Sequence, residues 1–142
     1  MKTEHQINAL ISKTLKKSGC FFYLKTSEKY ISGVSDFLVW MDGRGLAMEV
    51  KLAKPVPEKS KRKLLSHPFS TEQISFLEGF HRIGGGISCG IVCIGGSKLY
   101  PIKWEEIPAS GNWRSDEFLE KYGDVGFDIS DIVNLMNFIY GK

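Results

Sequence analysis

The chain has 142 residues, 42% of them apolar and 25% charged, with a formal net charge of +3. That length closes one domain around one core without disulfides or metals as staples, and that balance excludes long disorder, a collagenous repeat and a coiled coil. No apolar run approaches the roughly 18 residues needed to cross a bilayer, and the polar start Met1-Lys2-Thr3-Glu4-His5-Gln6 leads into a helical pattern and not a secretory core, so the expected location is the cytoplasm.

Residues 3–17 read as a helix that Thr3 can cap, with Ile7, Leu10, Ile11 and Leu15 on one stripe. Ser18-Gly19 ends it, and residues 20–24 form a short β-prone run. Two strands follow, Val34 to Met41 and Leu46 to Leu52, separated by the hairpin signal Asp42-Gly43. Residues 53–69 hold three of the five prolines and read as a long exposed loop. Ser70 opens a second helix to about Ile83, which Gly84-Gly85-Gly86 stops. Ile87 to Ile94 is apolar enough for a buried central strand. After the turn at Gly95-Gly96 comes a strand from Leu99 to Trp104, and a last helix runs from about Ser130 to Tyr140. The order α-β-β-β-α-β-β-α gives an α/β fold, a mixed sheet flanked by helices. Residues 1–104 read as the core and 105–142 as an extension packed on the same domain.

The cysteines fit a reducing compartment. Cys20, Cys89 and Cys93 are odd in number, which argues against a disulfide framework. Cys89 and Cys93 would share one strand face as small buried hydrophobes, and no close Cys/His pairs of a zinc site are present. His81 follows the apolar stripe of its helix and reads as packed.

Charge is small in sum and uneven in place. Residues 51–63 carry Lys51, Lys54, Lys59, Lys61, Arg62 and Lys63 against Glu58 alone, a local +5, whereas residues 105–142 carry a local −5. A basic cluster on one loop reads either as a polyanion contact or as a solvated face. The acidic last third is not expected to face nucleic acid.

The chemistry lies around the hairpin. With a two-residue loop at Asp42-Gly43, Met41 faces Arg44, and counting outward places Asp36 opposite Glu49. Lys51 lies two residues further on the same face. Opposed carboxylates repel by roughly 0.2–1 kcal/mol, which a divalent cation offsets. Mg²⁺ takes oxygen ligands such as carboxylates, a carbonyl, waters and phosphate. Asp36, Glu49 and the Val50 carbonyl could supply the protein's share, and Lys51 would lie beside the attacking water or the charge developing on a phosphate. The plain alternative is a surface salt bridge between Lys51 and two acids.

An Asp, a hairpin and then Glu49-x-Lys51 resembles the PD-(D/E)xK nuclease superfamily. Three further features resemble its Holliday-junction-resolvase-like branch, which includes RecU, archaeal Hjc and VRR-NUC nucleases. They are Gly33-x-x-Asp36-Phe37 preceded by Lys25, Gln73 opening the second helix with Phe76-Leu77 behind it, and Gly84-Gly85-Gly86-Ile87 leading into the buried strand. Ser35 departs from the proline that many members carry. The resemblance covers about residues 3–104. It implies a restriction-endonuclease-like core and a Mg²⁺-dependent (or Mn²⁺-dependent) endodeoxyribonuclease that acts on branched DNA in recombination and repair as a homodimer. It implies Asp36 and Glu49 as metal ligands with Val50, and Lys51 as the assisting cation.

The resemblance also adds Glu4 from the first helix and Gln73 from the second to the catalytic group. Glu4 reads equally as an acid favoured by a helix N-terminus, and Gln73 as half of a capping box with Ser70. Lys25, Lys54, Lys59, Lys61, Arg62 and Lys63 are the expected DNA contacts. A sequence-specific homing or restriction-type nuclease, and a DNA-binding module of the same fold without catalysis, are the alternatives.

Overall fold

The turn at Asp42-Gly43 sets the register of the sheet. Both residues have positive φ, 54° and 76°, as in the two-residue type I′ turn whose twist suits the flanking strands. Strand β2 (Phe37–Met41) therefore pairs antiparallel with β3 (Arg44–Ala53), Met41 facing Arg44 and Phe37 facing Met48. The structure is a computed structural model and describes residues 3–19, 21–25, 35–55 and 61–141.

Six strands among the described residues form one mixed sheet. Its order is β1 (Phe22–Lys25), β2, β3, β4 (Ile87–Ile94), β5 (Lys98–Lys103) and β6 (Phe127–Asp128). Only the β3–β4 pair is parallel. A parallel pair needs a crossover, and helix α2 (Thr71–Arg82) supplies it. Helix α1 (Glu4–Ser18) begins at a Thr3–Gln6 capping box and ends at Gly19, whose φ of 65° favours glycine.

Alternation along β3 divides the core. Leu46, Met48 and Val50 join Ile7, Ile11 and Leu15 of α1 and Ile132, Leu135 and Met136 of helix α4 (Ile132–Tyr140). Ala47 and Ala53 join Leu77 of α2, Ile107, and Phe118 of helix α3 (Ser115–Tyr122) on the other face. Glu49 and Lys51, in phase with Ala47 and Ala53, thus point into the α2 layer. Cys89 and Cys93 are buried thiols on the α1 face.

Three expectations need correction. The described parts of residues 53–69 are not simply an exposed loop. Leu64, Leu65 and Phe69 are buried, and backbone bonds from Leu64 N–H to Trp113 and from Ser115 N–H to Arg62 tie the segment down. His81 is exposed, with Nδ1 2.9 Å from the Gly86 carbonyl and its ring against Trp104. Residues 104–128 hold more structure than the expected run into one last helix: a 3-10 stretch Trp104–Asn112, then α3 and β6. These pieces are too short to show a period. Aromatic contacts of Phe118 with Tyr100, Trp113 and Tyr122 hold them. No helix among the described residues is long and apolar enough to cross a membrane.

The C-terminal helix locks the hairpin. The Tyr140 hydroxyl lies 3.2 Å from the Val39 carbonyl and 3.1 Å from that of Arg44, and burial pushes its pKa up to about 12. Tyr140→Phe leaves those carbonyls without the shared proton. It should cost about 1 kcal/mol in urea unfolding; no change would show that the hydroxyl contributes nothing to the lock.

Candidate active site

Strand β3 outruns β2, and the site is built on the excess. Pairing with β2 ends at Met48, while pairing with β4 continues to Ala53. Alternate residues of a strand offer their N–H to the same edge, so Val50 and Leu52 face the edge that β2 has left. Backbone donors that lose their strand partner need acceptors, and two carboxylates supply them. Asp36 Oδ2 accepts from Val50 N–H at 2.9 Å, and Glu4 Oε1 accepts from Leu52 N–H at 3.2 Å. In a strand the C=O of a residue points to the same edge as its N–H, so the Val50 carbonyl faces this edge as well.

Asp36 and Glu49 meet one step beyond the Phe37–Met48 pair. The Asp36 N–H donates to Glu49 Oε2 at 3.0 Å, and Gln73 Nε2 donates to Glu49 Oε1 at 2.8 Å. The other end of the Gln73 amide accepts from Ser70 N–H at 2.9 Å, while Ser70 Oγ accepts from Gln73 N–H. The two readings of Gln73 are therefore one arrangement: capping the helix orients the amide, and the amide holds Glu49.

Asp36, Glu49 and Lys51 are 5%, 3% and 8% exposed. Burial, and next the charge of Asp36, push the Glu49 carboxyl up to about 9, against the pull of Lys51. Without a cation the pair keeps a proton at neutral pH. The Lys51 ammonium lies 5.6 Å from the centroid of the Phe69 ring.

The donors suit a hard cation. Among the described residues no group of three or more His, Cys, Asp or Glu could hold a metal ion. Two carboxylates and a carbonyl, all oxygen, match an ion that keeps waters and takes phosphate as a further ligand. Glu4 stands one step along the same edge, roughly 7 Å from the Asp36 position at about 3.4 Å per residue.

No protein-family model matches the chain, and no curated protein matches it. The 1.6 Å structure of Hjc, a Holliday junction resolvase from the archaeal hyperthermophile Archaeoglobus fulgidus, is similar. The TM-score is 0.56 at 16% identity, over 90% of this chain and 95% of that one. The chain shares the fold of that resolvase structure.

On this resolvase fold the basic residues lie beside the acids and not among them. A cleft of about 560 Å³ opens next to Glu4 and Leu52, lined also by Lys54, Arg62, Lys63 and His67. Lys61 is exposed in the same segment. Lys59 and the side chain of Lys25 lie outside the described residues. Sequence reasoning missed Phe69, His67 and the role of the Leu52 N–H. Phe69 had a signal: it precedes the Ser70 cap, and Ile74 follows at the position where a hydrophobic staple would close.

Proposed function

We propose that this chain is a divalent-metal-dependent endodeoxyribonuclease that hydrolyses phosphodiester bonds in branched DNA. The observation that carries the reading is the buried, opposed pair Asp36–Glu49 with Lys51 on the same sheet face, set on a resolvase fold. A fold alone hosts many functions. Two acids held face to face in a buried site are unfavourable without a cation, and that disposition is what a metal-assisted phosphoryl site needs.

Asp36, Glu49 and the Val50 carbonyl would hold Mg²⁺ or Mn²⁺, which would lower the pKa of the attacking water and offset phosphate charge. Gln73 fixes the rotamer of Glu49, and the Val50 N–H fixes that of Asp36. Lys51 supplies positive charge beside the acids, placed to orient the water or to stabilise charge developing on the phosphate. Glu4 adds a carboxylate further along the strand edge. Lys54, Arg62 and Lys63, with Lys25, Lys59 and Lys61, would carry the DNA backbone through the cleft. A homodimer would place two such sites for cuts of matched symmetry on a junction.

The test is cleavage of a four-way junction, a matched linear duplex and a single strand, each with Mg²⁺, Mn²⁺ or EDTA. Metal-dependent cutting of the junction is expected, lost in Lys51→Ala by about 10²-fold or more. Cutting of only certain linear duplexes would move the protein to a sequence-specific class. DNA binding that is indifferent to metal, with no cutting, would leave a binding module.

A further inference from the structure

Lys51 is held by a neighbour that the chemistry above does not use. Phe69, 5% exposed, presents its ring to the Lys51 ammonium. It is the residue before the Ser70 cap, so the turn that aims Gln73 at Glu49 also places this ring. Beneath it lies Gly90, in register with Glu49. A Cβ at residue 90 would come within 2.9 Å of Phe69 Cζ and 2.9 Å of Ile107 Cδ1. The ring thus occupies the space over β4 that a side chain at position 90 would fill.

We propose that Phe69 is a positioning residue that holds the Lys51 ammonium off the two carboxylates. A buried ammonium beside the Asp36–Glu49 pair is drawn strongly toward the pair's remaining negative charge, since attraction grows as water is excluded. Collapse onto Asp36 or Glu49 would fill the place of the cation and of the phosphate. A ring face counters that pull without titrating and without accepting a directed hydrogen bond, and it is strongest where desolvated. None of the ion pairs among the described residues includes Lys51. Gly90 is the other half of the device, because the ring reaches Lys51 only where the strand carries no side chain. What Lys51 then acts on rests on the nuclease reading; the contact itself does not.

Three readouts on the full chain separate the two. In carbon–proton correlation spectra the ε-methylene of Lys51 should be shifted upfield by the ring current, an effect lost in Phe69→Leu and kept in Phe69→Tyr. Mn²⁺ titration should show affinity falling about 3–10-fold in Phe69→Leu, as the ammonium competes for the acids, with recovery in Phe69→Tyr. Single-turnover cutting of the junction should fall about tenfold in Phe69→Leu at unchanged half-saturating DNA, with no further loss when Lys51→Ala is already present. Gly90→Ala, which displaces the ring from below, should act in the same direction. An unshifted Lys51 resonance in the wild type, Phe69→Tyr no better than Phe69→Leu, or an equal loss in the Lys51→Ala background would overturn the proposal. A wild type that cuts nothing but shows the shifted resonance and Phe69-dependent Mn²⁺ binding would support the positioning and overturn the nuclease reading.

Discussion

Asp36→Asn should lower the cleavage rate about 10³-fold or more and at the same time raise the melting temperature measured in EDTA. The rate falls because one of two anionic oxygen donors is gone, in a site where each charge acts in a water-poor surrounding. The stability rises because asparagine keeps an oxygen for the Val50 N–H and takes away the like charge that, next to burial, makes Glu49 costly to ionise. That repulsion is worth roughly 0.2–1 kcal/mol, or roughly 1–3 °C for a domain of this size.

The gain should depend on pH, and its sign follows from Glu49. Its folded carboxyl is raised from 4.5 to about 9, by burial first and by Asp36 second. Between those values the native state binds a proton that the unfolded chain has released, so this group's contribution to stability falls as pH rises. Asp36→Asn removes the second cause and leaves burial. The variant's advantage should therefore be larger at pH 8 than at pH 5. Undiminished cutting would remove Asp36 from the ligands; a lower melting temperature at both pH values would show that the carboxylate's bond to Val50 outweighs the repulsion.

The opposition of Asp36 and Glu49 was legible because one short signal controls it. Asp42-Gly43 demands a two-residue turn, and period-two geometry does the rest. The Gln73 ambiguity was legible too, but only the structure shows that one amide both closes the capping box through its acceptor end and bonds Glu49 through its donor end. The segment before α2 was not legible. Its prolines and lysines announce a loop, while three apolar anchors, Leu64, Leu65 and Phe69, find partners distant in sequence. Residues 104–128 failed for the same reason: their order comes from ring contacts and backbone bonds to Arg62 and Leu64, which local pattern cannot show. The position of Glu4 needed the lengths of β2 and β3, since its N–H partner exists only where one strand outruns the other.

Replacing Lys54, Arg62 and Lys63 together by alanine should weaken junction binding about 10²–10³-fold at low salt. Each phosphate neutralised releases counterions, and log K falls with log salt by about 0.9 for each. Removing three contacts should therefore flatten the slope by nearly three, a change that loss of folding would not mimic. The cleft places these three side chains around one opening next to the Glu4 edge, so they would engage one backbone together. Neutralising three acids of α3 and its end, Glu117, Glu120 and Asp124, is the matched control: these residues are exposed and belong to the acidic last third. That variant should bind no more weakly than the wild type. If the basic triple variant kept the full salt slope, the basic segment would be a solvated face, and the DNA path would have to lie on another side of the acids.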